Sequence, residues 1–71
     1  MTKEEYYRKL RDHDWFYEMS DDYSAYGRGR AQRHELNVLC KDRPDLQLMY
    51  NEWLEWYNGV YRGEQPDMPT L

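Results

Sequence analysis

The chain has no isoleucine, only two valines and a single cysteine, Cys40. One thiol cannot close an internal disulfide and can at most join two chains, so covalent stapling is excluded as the support of this fold. No apolar run reaches the ~18 residues of a membrane span, and no apolar leader precedes a small-residue cleavage site, so a cytoplasmic protein that neither crosses a membrane nor is secreted is expected. Internal repeats and low-complexity tracts are absent as well.

What replaces the missing aliphatic residues is aromatic. Among 71 residues there are eight tyrosines, three tryptophans and one phenylalanine. A chain this short forms one domain whose core supplies only about 3–5 kcal/mol of net stability, and here the aromatics must build most of that core, with hydroxyls and indole N–H groups left where partners can reach them. The same side chains dominate protein interfaces, so any surplus points to a binding surface. Fourteen acids against ten bases give a net charge of −4, which favours solubility and disfavours nonspecific attraction to nucleic acid.

Thr2 and Glu5 have the spacing of a capping box, and Glu4/Arg8, Glu5/Lys9 and Arg8/Asp12 are spaced i,i+4, which predicts a helix over 3–13 with a narrow apolar stripe of Tyr6, Leu10 and Tyr7. The aromatic run DWFYEM, 14–19, fits neither helical nor strand periodicity and reads as a turn or short extended link, a candidate plug between helices. Ser20, Asp21 and Asp22 form a good helix start, a hydroxyl cap with acids at the positive end of the dipole. Gly27 and Gly29 then leave two possibilities: one helix over 21–41 with a soft spot, or a short turn at 21–26 and a second helix from Arg30. Farther on, Ala31, Leu36, Val38 and Leu39 form an apolar face, while Arg30, Arg33, Asn37 and Lys41 share an arc of about 80° at ~100° per residue. Pro44 and Asp45 open the clearest helix, 44–62: Leu46, Met49, Tyr50, Trp53, Leu54, Trp56, Tyr57, Val60 and Tyr61 fall within an arc of about 160°. Gly63 marks its stop. The tail EQPDMPTL, 64–71, has little to bury and is expected extended or disordered.

The expectation is therefore an all-α three-helix bundle over 1–63 with a short aromatic linker and a flexible tail over 64–71, its core drawn from Trp53, Trp56, Tyr57, Tyr50, Leu39 and Val38. Chemistry-bearing constellations are weak. His34 and Cys40 lie about 120° apart around a helix and cannot pair there as base and nucleophile. Asp12, His13 and Asp14 with His34 lack metal-ligand spacing, and Asp21/Asp22 serve as helix-start acids rather than as an acid/base pair. No enzyme activity, cofactor or metal is expected. The remaining candidates are binding residues: Arg28, Arg30, Arg33 and Lys41 with Tyr23 and Tyr26, offered to an acidic protein surface. The wide apolar arc of the last helix also suggests self-association as a homodimer. The alternative is nucleic-acid binding through Arg28, Arg30 and Arg33, with nearby aromatics to stack on bases; the net charge and the acids Asp21 and Asp22 just before the cluster argue against it.

The run DHDWFYEMSDDYSAYGRG, residues 12–29, resembles a pattern in small uncharacterised accessory proteins of phages and prophages, in which an Asp-Trp-aromatic run precedes a Ser-Asp-Asp start and an arginine-rich helix. That resemblance implies a setting and no residue roles: a phage-encoded protein in the host cytoplasm that binds a host or phage protein and inhibits or redirects it, defence systems included.

Overall fold

A computed structural model of the chain describes residues 1–16 and 23–71, and for 23–28 the backbone alone. Three helices, α1 (Lys3–Asp12), α2 (Tyr23–Leu39) and α3 (Pro44–Tyr61), make up the fold, with no strand among the described residues. Its thinnest dimension is 16 Å, little more than one helix with its side chains at about 10–12 Å, so every helix keeps a face in solvent.

α1 starts as the capping box predicts, with Thr2 Oγ1 accepting from the Glu5 backbone N–H at 3.1 Å. At its other end the Leu10 carbonyl, an orphan acceptor of the last turn, receives the Trp15 indole N–H at 3.1 Å and the His13 N–H at 3.3 Å. The described part of the aromatic linker, 14–16, thus caps α1. Asp14 Oδ1 accepts from the Phe16 N–H at 3.2 Å, a local side-chain turn, and swings Trp15 inward and Phe16 outward. Tyr17 and the expected helix start at Ser20, Asp21 and Asp22 lie outside the described residues.

α2 is one continuous helix through Gly27 and Gly29, and Gly29 is buried. It ends at Leu39 rather than at 41, because Lys41 N–H turns back to Val38 O at 3.3 Å and Arg43 N–H to Cys40 O at 3.2 Å. Pro44 favours an extended residue before it, and Arg43 sits at φ −129°, ψ 94°. α3 closes with the hydrogen bonds expected for a glycine C′ residue: Gly63, at φ 87°, donates to Val60 O at 3.0 Å and Glu64 donates to Gly59 O at 3.0 Å.

α3 is the element on which the other two pack. Trp53, only 1 % exposed, stacks on Trp15 with ring centroids 6.3 Å apart and meets Tyr7 and Trp56 edge-on at 6.0 and 5.4 Å. Tyr6, Leu10, Leu36, Cys40, Leu46, Tyr50 and Tyr57 complete the core. Trp56 and Leu39, expected inside, are half-buried at its edge. Val38 is a correction: it is 55 % exposed, since it stands about 200° around α2 from Leu36 at ~100° per residue and cannot share an inward face with it. The wide arc of α3 is covered within one chain, although Tyr61 stays exposed.

Candidate partner-binding surfaces

α2 divides its surface between core and solvent. Gly29 and Leu36, with Cys40 just past the helix end, are buried, while Arg30, Ala31, His34, Asn37 and Val38 are exposed. Of the basic residues expected on one stripe, Arg30 is on this outer side, Arg33 is half-buried beside it, and Lys41 is exposed in the turn that follows the helix. The stripe is therefore shorter than its sequence spacing implied. The side chains of Tyr23, Tyr26 and Arg28 lie outside the described residues. What the outer side presents is mixed in character: cationic at Arg30, apolar at Val38, with His34 and Asn37 between.

The residues weighed for catalysis and metal binding are kept apart. Cys40 is fully buried, its single S–H within donating reach of Asn37 O at 3.3 Å and Gln47 Oε1 at 3.4 Å, whereas His34 is exposed. His13 is buried, edge-on to Trp15 with centroids 4.3 Å apart. No group of three or more His, Cys, Asp and Glu among the described residues is placed to hold a metal ion, and no helix among them is long and apolar enough to cross a membrane.

Grooves flank the core among the described residues. One, about 330 Å³, runs between Arg8, Lys9 and Asp12 on α1 and Gln32 and Glu35 on α2, with buried His13 and Leu36 also lining it. Lys9 Nζ reaches Glu35 Oε1 across it at 3.8 Å, an exposed pair of small energetic weight. The second, about 260 Å³, lies between α3 and the tail and is lined by Glu52, Glu55, Trp56, Pro66, Asp67 and Pro69. Sequence reasoning missed this one because it took the tail as having little to bury. The missed signal was the Pro-x-x-Pro spacing of Pro66 and Pro69 following a helix with more aromatics than its core needed.

At the start of α3 the Arg43 guanidinium holds Asp45 through two bonds, Nε to Oδ1 at 3.1 Å and Nη2 to Oδ2 at 2.9 Å, and donates from Nη1 to Met1 O at 2.7 Å. Bonding to Arg43 lowers the Asp45 pKa from its ordinary value, with partial burial opposing. In the core, burial raises the Tyr6 phenol well above the usual tyrosine range, with the Cys40 thiol adding to the effect.

Compared with known protein families, curated proteins and solved structures, the chain matches none.

Proposed function

We propose that this is a small non-enzymatic protein-interaction module that engages an acidic surface of a partner protein through the outer side of α2. The carrying observation is Val38, a large apolar side chain 55 % exposed on the same side of one helix as Arg30 and His34. Interface centres combine apolar contact with arginine in this way. The likeness of residues 12–29 to small phage accessory proteins supplies the setting: a phage-encoded protein acting on a host protein, a defence component among the targets.

The test is affinity capture from nuclease-treated host lysate with the native chain and with the double variant Arg30→Glu, Arg33→Glu. A protein retained in stoichiometric amount by the native chain and lost by the variant, whose helical content is unchanged, supports the reading. Capture that disappears with nuclease assigns the arginines to phosphates instead. Retention by both chains removes the α2 surface from the proposal.

A further inference from the structure

The tail is seated on the bundle. Once Gly63 has turned the chain, Pro66 crosses Gly59 so closely that a Cβ on residue 59 would stand 3.1 Å from Pro66 Cγ. Three residues on, the Pro69 carbonyl accepts from the Tyr7 hydroxyl at 3.3 Å. Beneath run the rings of Tyr7, Trp53 and Trp56, in edge contact at 6.0 and 5.4 Å, and Trp56 shares the second groove with Pro66 and Pro69. Two prolines three residues apart, an aromatic floor and a side-chain donor to a proline carbonyl are the elements by which aromatic-lined grooves take proline-containing segments. Proline suits such a site because its φ is set before binding and little backbone entropy remains to be lost.

The tail is nevertheless a poor occupant in its charge. Asp67, between the two prolines, stands in the same groove as Glu52 and Glu55, and none of these three carboxylates has an ion-pair partner among the described residues. Like charges gathered in one groove destabilise the seated segment, and a cation in place of Asp67 reverses that sign. We infer that the seat now covered by the tail, beside Tyr7 and Trp56, is a binding site for an extended segment of a partner protein with lysine or arginine between two prolines, and that the chain's own tail covers it until that segment displaces it. This surface is acidic and lies on α1 and α3, so it stands independently of the basic side of α2.

The test uses the full chain, ¹⁵N-labelled, titrated with an eight-residue peptide of the tail sequence carrying Asp67→Lys. The expected result is a saturable shift confined to Tyr7, Glu52, Glu55, Gly59, the Trp56 indole N–H and residues 64–71, as the tail gives way. The peptide with the native aspartate should bind roughly two- to fivefold more weakly, the factor that one exposed ion pair supplies. Placing Asp67→Lys in the full chain should weaken the added peptide by a similar factor, because the chain's own tail then competes better. Equal binding by a peptide with Pro66→Ala and Pro69→Ala would reduce the effect to charge alone and overturn the proposal. A Trp56 indole resonance unmoved at millimolar peptide would overturn it too. The same shifts appearing on concentration of the protein without peptide would assign the groove to the tail of a second copy, against a partner protein.

Discussion

The hydroxyl of Tyr6 donates to the carbonyl of Leu36 at 2.8 Å, joining α1 to α2 inside the core. Both groups are removed from water, so the bond contributes about 1 kcal/mol net, and leaving one partner unsatisfied costs about 1–3 kcal/mol. Tyr6→Phe is therefore expected to lower stability by about 1–2 kcal/mol at neutral pH while retaining the ring's packing.

The same phenol predicts an alkaline limit. Its folded pKa is raised by burial, so its contribution is fully present below the unfolded tyrosine value of about 10 and declines as pH rises above it. Ionisation also removes the proton that Leu36 O accepts. Thermal melts of the native chain and Tyr6→Phe between pH 8 and 12 should converge above about pH 10; a gap constant across that range would show that Tyr6 does not govern alkaline unfolding.

At the acid end the group concerned is Asp45. Its folded pKa is lowered by Arg43, so the stabilisation is present above the unfolded aspartate value of about 3.9 and is lost as pH falls through the lower folded value. Asp45→Asn should be less stable than the native chain at neutral pH, with the difference closing as pH drops below about 4. Added salt should shrink the neutral-pH difference, since both side chains are partly in water. A salt-insensitive difference would assign the effect to helix capping at Pro44–Asp45 rather than to the ion pair.

Trp53 has the largest expected effect on folding. It touches Tyr7, Trp15 and Trp56, and truncation of a buried tryptophan costs about 3–5 kcal/mol, as much as a domain of this size holds in reserve. Trp53→Ala should lose cooperative melting and most helical circular dichroism at 25 °C. Trp56→Ala, half-buried at the core's edge, should keep both.

The first and last helices were legible because they carry their own local signals: a Thr2 cap for α1, a proline opening α3, a glycine closing it, and a 3.6-residue period that put Tyr50, Trp53 and Tyr57 inside. What was not legible depended on contacts distant in sequence. Val38 looked like core only while the inward direction of α2 was unknown, and the burial of Leu36 and Cys40 decides it. Trp15 resisted periodicity because its place comes from capping: it is held by a carbonyl of α1 and by the rings of Trp53 and Tyr57. The basic residues on α2 were visible from spacing, but the α3–tail groove joins residues up to 62 apart, as in the Tyr7–Pro69 bond, and no local pattern encodes that.

Gly59 is where this long-range closure can be opened without disturbing the core. It lies inside α3, where alanine is worth about 1 kcal/mol more than glycine, yet a Cβ there would sit 3.1 Å from both Pro66 Cγ and Glu64 Oε2. Helix and tail thus make opposite demands on one residue. The carboxylate is the end of a flexible side chain and can turn away, but the proline ring can yield only by moving the tail. Gly59→Ala should therefore keep its helical content and melt within about 1 kcal/mol of the native chain, while limited proteolysis cuts within residues 64–71 faster and the Tyr7 hydroxyl loses its acceptor at Pro69. If the tail remains as protected as in the native chain, the passage of Pro66 over Gly59 does not hold it, and the Tyr7–Pro69 bond becomes its anchor, to be removed next by Tyr7→Phe.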